Sequence, residues 1–112
     1  MKQQESSQRL ARLSLAILAK IRLHKQGNPI LSRNLQEEFQ IDNGKVCEVV
    51  RMLRREGWPI ASFGGETPGY YFAESYGELE PTINNFKSLE ADLRNTRLAM
   101  MKKFDMHEGL FA

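Results

Sequence analysis

A chain of 112 residues is long enough for one hydrophobic core and too short for two. Its composition, 41% hydrophobic and 27% charged, is ordinary for a soluble globular domain. The single cysteine, Cys47, excludes an internal disulfide, no zinc ligand set accompanies it, and a net charge of +2 argues only weakly for an acidic partner.

The charge is unevenly spread. Residues 1–73 carry 11 Lys/Arg against 7 Asp/Glu, whereas residues 74–112 carry 5 against 7. A basic head on a slightly acidic tail suits a nucleic-acid module with a separate interaction element. The periodicity predicts a first helix from about Gln4 to Lys25. Leu10, Leu13, Ile17 and Ile21 form one apolar strip, and Ala11, Leu15 and Leu18 a second beside it. A helix apolar on two adjacent faces needs two partners: the domain core, and either the C-terminal helix or another subunit. The apolar run Leu13–Ala19 is too short to span a bilayer and lacks a cleavage site, so neither a membrane span nor a signal peptide is expected, and the expected compartment is cytoplasmic. Gly27-Asn28-Pro29 should end the helix, with Gly27 as a left-handed cap. Pro29-Ile30-Leu31 then reads as a short extended piece, a third strand of a small sheet.

Ser32 is placed to cap a second helix in which Leu35 and Phe39 face the core. A tight turn, Gln40 to Gly44, follows, with Ile41 plugging it and Asp42 capping a third helix. Val46, Val49, Val50 and Leu53 point inward from that helix, and Gly57 stops it. Ile60–Phe63 and Tyr70–Ala73 alternate as a hairpin, with Pro59 tolerated at its edge and Gly64–Gly69 at its tip. Ser75 and Glu78 match a capping box opening a long helix to about Phe104, and Pro81 either bends its first turn or marks its start. Leu79, Ile83, Phe86, Leu89, Leu93, Met100 and Phe104 make an apolar stripe that Thr96 and Lys103 interrupt, a weak coiled-coil signal. Asp105 to Ala112 read as a tail.

Residues 28–73 resemble the winged helix-turn-helix domain of the biotin operon repressor type. The pattern is carried by Ser32…Leu35, Val46, Leu53-Arg54…Gly57…Ile60 and Gly69-Tyr70-Tyr71-Phe72. A wing followed by a long helix also resembles small phage and prophage proteins. The sequence departs from the pattern at Gln36, where Ala is usual, at Gln40, where a turn Gly is common, and at Gly44, inside the first turn of the third helix. The resemblance implies an α+β, mostly helical fold: a winged helix-turn-helix domain over residues 1–74, a packing or dimerisation helix over 75–106 and a tail over 107–112. No biotin ligase domain follows, so no catalytic role carries over.

A helix-turn-helix can project its second helix into a DNA major groove. The residues its core leaves free are Asn43, Lys45, Cys47, Glu48, Arg51, Arg54 and Arg55. Arg51 can offer two donors to guanine, Asn43 can address adenine or a phosphate, and Lys45 suits a phosphate. Glu48 opposes this unless it accepts from a cytosine amino group or pairs with Arg51 or Arg55. Arg33 at the start of the second helix should lie near the phosphate backbone. The wing tip holds Glu66 and no cation, so Thr67 and backbone amides are its only means of touching DNA. The alternatives are a solvated face of mixed charge for the third helix, an ordinary surface charge for Arg33 and, as the simpler reading, a structural hairpin for the wing.

Other residues carry blander readings. Cys47 is more simply a small apolar residue than a redox sensor, and Trp58, Phe63, Tyr70 and Tyr71 are more simply packing than a stacking platform. The ending Leu110-Phe111 loosely resembles a sliding-clamp peptide. The surplus apolar surface of the first and fourth helices, at Leu15, Leu18, Phe86, Leu89, Leu93 and Met100, suggests a homodimer.

Two functions are therefore expected in order. The first is a sequence-specific, double-stranded DNA-binding regulator, phage-derived, acting in transcription or replication. The second is a protein-interaction module, such as a phage inhibitor or adaptor of a host protein. No cofactor, metal or membrane partner is expected, and no enzymatic constellation is present.

Overall fold

Ile17 and Ile21, one helical turn apart on the first helix, are fully buried, and the rest of the core is arranged around them. The structure is a computed structural model describing the backbone of residues 2–63 and 69–111 and the side chains of residues 6–62 and 69–105. Its elements are α1 (Lys2–Arg22), β1 (Ile30–Leu31), α2 (Ser32–Phe39), α3 (Asn43–Arg55), β2 (Ile60–Phe63), β3 (Gly69–Phe72) and α4 (Tyr76–Phe111). The chain is thus mostly helical, α+β, with one small antiparallel sheet in the order β1-β3-β2. Two units divide it, one ending at Leu79 and the other beginning at Glu80. No described helix is long and apolar enough to cross a membrane.

In the first unit α1 packs on α3 and β3, and α2 packs on α3. Leu35 from α2, Val46, Val49, Val50 and Leu53 from α3, and Ile30 and Ile60 from the sheet close the core with Ile17, Leu18 and Ile21. Removing each such side chain from water contributes about 1.5–3 kcal/mol, which compensates the ordering of short elements. The register Ile30↔Tyr70 and Ile60↔Phe72 makes β3 the central strand. Gly69 is needed there, because a Cβ would lie 3.0 Å from the Ile30 carbonyl oxygen.

Several local expectations change. α1 stops at Arg22, before Lys25: the Leu23 and His24 amides turn to the Lys20 and Ile21 carbonyls three residues back, and the His24 carbonyl accepts the Phe72 amide at 2.9 Å. Gly27 is not a left-handed cap; among the described residues positive φ is found at Gln40 and Gly57. Ser32 does not cap α2, since its buried hydroxyl donates to Asn43 Oδ1 at 2.6 Å. The Asp42 cap does form, its Oδ1 accepting from the Lys45 amide at 2.8 Å. α2 ends on Gln40 at φ 55°, the left-handed conformation that a glycine would adopt with less strain.

The α4 start is close to the expected box. Ser75 Oγ accepts from the Glu78 amide at 3.3 Å, while the Glu78 carboxylate reaches one residue further back, to the Glu74 amide at 2.7 Å. Pro81 lies inside the helix, where it removes the bond to the Gly77 carbonyl. The helix continues to Phe111, so the expected tail beginning at Asp105 is helical backbone instead. The side chains of Leu110 and Phe111, and the wing tip with Glu66 and Thr67, lie outside the described residues.

Candidate nucleic-acid interface

α3 is positioned by the four residues it buries, Val46, Val49, Val50 and Leu53, at spacings that give one continuous inward strip. Its opposite side is thereby forced outward. Arg51 and Arg55, one turn apart there, are exposed, and neither makes an ion pair within the described residues. Arg33, the second residue of α2, is likewise exposed and without an ion pair among them. These three guanidiniums are the cations that the described fold leaves free among the expected contacts.

The other expected contacts behave differently. Lys45 is half-buried and its Nζ lies 3.0 Å from Glu48 Oε2, so the acid at position 48 pairs with Lys45 rather than with Arg51 or Arg55. Both partners are over 40% exposed, which makes the pair worth at most about 1 kcal/mol and open to exchange. Asn43 is exposed, but its carbonyl oxygen accepts the Ser32 hydroxyl, which in turn accepts from Gln36 Nε2 at 3.2 Å. Gln36, the departure from the usual Ala, thus helps join α2 to α3. With Oδ1 engaged, Asn43 presents its amide N–H groups, which suit a phosphate better than the two-point pairing with adenine.

Arg54 is a correction to the outer-face expectation. Its Nε donates to the Ile60 carbonyl at 2.9 Å, its Nη2 bonds Ser62 Oγ, and the guanidinium sits 5.9 Å from the Tyr70 ring centroid. Burial lowers its pKa from the ordinary guanidinium value, an effect that Tyr70 and Cys47 oppose. Arg54 therefore ties α3 to the hairpin and is not available to a ligand. Cys47 is also not on an open face: it is half-buried and neighbours Tyr70, whose hydroxyl pKa is raised by burial and then by that thiol.

Of the aromatic residues, Trp58, Tyr70 and Tyr71 pack, and the Phe63 side chain lies outside the described residues. Tyr71 is buried and donates its hydroxyl to the Glu78 carbonyl at 2.9 Å, and Trp58 and Phe72 lie 6.4 Å apart against the core. Sequence reasoning missed the two cations laid over them. Arg22 stands 5.7 Å from the Trp58 ring and 5.5 Å from Phe72, and Lys25 stands 5.7 Å from Phe72. Only the chain path after α1, which no periodicity encodes, brings them there.

Of the apolar residues expected to pair two subunits, Leu18 is a second correction, because it is 5% exposed and belongs to the core. Leu15 is 66% exposed beside an open groove of about 450 Å³ between α1 and α3. Phe86, Leu89, Leu93 and Met100 are all exposed on α4. Among the described residues, no group of His, Cys, Asp and Glu is placed to hold a metal ion.

The chain has no significant match to a protein-family model, to a curated protein or to a solved structure.

Proposed function

We propose that residues 1–74 are a winged helix-turn-helix of the biotin operon repressor type, and that the protein is a phage-derived regulator which binds duplex DNA through α3. The observation that carries this reading is the exposed Arg51–Arg55 face of α3, free of ion pairs among the described residues, with Arg33 of α2 exposed and equally free among them. The sheet order β1-β3-β2, with the hairpin directly after α3, fits the wing of that class. In the proposed complex Arg51 donates to guanine O6 and N7, while Arg55, Arg33 and the Asn43 amide hold phosphates. Lys45 exchanges Glu48 for a phosphate, which frees the Glu48 carboxylate to accept from a cytosine amino group.

A second reading, a winged-helix module that grips another protein, is favoured by the loss of Arg54 to the sheet and of Lys45 to Glu48. These leave the basic face discontinuous. Selection from random duplex DNA by the purified protein separates the two. The DNA reading expects an enriched sequence and an affinity whose logarithm falls with log salt at a slope of roughly −3 per protomer, as Arg33, Lys45 and Arg55 release counterions. Recovery of no sequence, together with salt-insensitive retention, would assign the face to a protein.

A further inference from the structure

Every residue from 84 to 105 on α4 is exposed, including Leu89, Leu93, Leu98, Met100, Met101 and Phe104. At 3.6 residues per turn Leu89, Leu93, Met100 and Phe104 fall in a sector about 60° wide and form a seam, with Met101 and Leu98 outside it. A shallow apolar groove lined by Ala99, Met100, Lys103 and Phe104 lies at its C-terminal end. Water does not favour a helix with an unpartnered seam of this kind, since most helical stability in proteins comes from burying the apolar face.

The charges along α4, of which Glu90, Asp92, Arg97 and Lys103 flank the seam, say what covers it. Upstream, Glu78, Glu80, Glu90 and Asp92 outnumber Lys87; downstream, Arg94, Arg97, Lys102 and Lys103 meet no acid before Asp105. No ion pair forms along the helix among its described residues. On the helical wheel Glu90 and Arg97 share one edge of the seam, and Asp92 and Lys103 share the other. Two copies crossing antiparallel near Leu93 bring like edges together, so that Glu90 of each faces Arg97 of the other, and each acidic half lies on a basic half. A parallel pair instead places Glu90 beside Asp92 of the second copy. We infer that α4 is an antiparallel self-association helix whose occupant is α4 of a second copy of this chain. This pairing stands apart from what α3 binds, and its test needs no DNA.

Sedimentation equilibrium of the full chain is expected to show a dimer. Leu93→Glu should weaken it by on the order of 100-fold, because a carboxylate would enter the centre of the seam. Glu90→Lys should weaken it about tenfold by setting a lysine against Arg97 twice over, and so should Arg97→Glu by setting two carboxylates together. An equimolar mixture of those two variants should recover the wild-type constant. In the mixed dimer the introduced lysine faces the introduced glutamate, and the Arg97 and Glu90 that remain still face one another. Because the charge variants leave the seam intact, recovery cannot be ascribed to folding. A monomeric wild type, a higher assembly, or a Glu90→Lys dimer tighter than wild type (the parallel outcome) would overturn the inference.

Discussion

Arg51→Ala should reduce affinity for a selected duplex by roughly 10- to 100-fold, the effect of losing one two-donor contact to guanine. Stability should not change, because the side chain is exposed and makes no ion pair with the described residues. Arg54→Ala is the internal control. It removes bonds to Ile60 and Ser62, so it should lower the denaturation midpoint while leaving the affinity of the folded fraction near wild type. Paired fluorescence-anisotropy and urea titrations check both variants. Equal affinity losses in the two would mean that the outer face of α3 is not the reading surface.

Leu35→Ala should have the largest effect on the fold, lowering the unfolding free energy by about 3–4 kcal/mol in urea denaturation. α2 has eight residues, too few to be helical alone, and its buried residues are Leu35 and Ser32. Leu35 is 0% exposed, so truncation leaves a cavity under a helix that has little else to hold it. Because Ser32 and Gln36 connect α2 to Asn43 at the start of α3, loosening α2 should also misplace the α3 N-terminus. A loss under about 1 kcal/mol would show that α2 is held by something other than this contact.

The elements are readable from residue pattern because each one obeys a local rule. Val46, Val49, Val50 and Leu53 follow the helical period, Ile60 and Tyr70–Phe72 alternate, and Asp42 and Ser75 cap where their side chains predict. Even the two-residue β1 is legible, since Pro29 obliges an extended start and Ile30 needs burial. What escapes are side-chain partnerships across elements. Arg54 has the spacing of an outer-face residue and a chain long enough to wrap back to the hairpin, so helical phase alone could not place it. Leu18 lies at the boundary between two apolar strips of α1, and only the packing of α3 and β3 decides which strip is covered. Ser32 has the type and position of a cap. A competing acceptor eleven residues away, Asn43 Oδ1, draws its hydroxyl inward.

The candidate site is legible to the same degree. Arg33, Arg51 and Arg55 lie outward and free of ion pairs among the described residues, as their spacing predicts, whereas Lys45 and Glu48 neutralise one another and Arg54 is withdrawn. The face offered to a ligand is therefore smaller and less basic than its sequence suggests. On the DNA reading, this makes specificity rest on few contacts and makes affinity gain from two copies acting together. An antiparallel α4 pair would supply that second copy, with an effective concentration set by the dimer instead of by the solution.

The most direct measurement is a titration of the isotopically labelled full chain with the duplex enriched by selection, followed through backbone amide shifts. The perturbed amides should cluster at Arg33 and along residues 43–55, and high salt should abolish the changes. Perturbation confined to α4, or none at any salt concentration, would contradict the DNA reading.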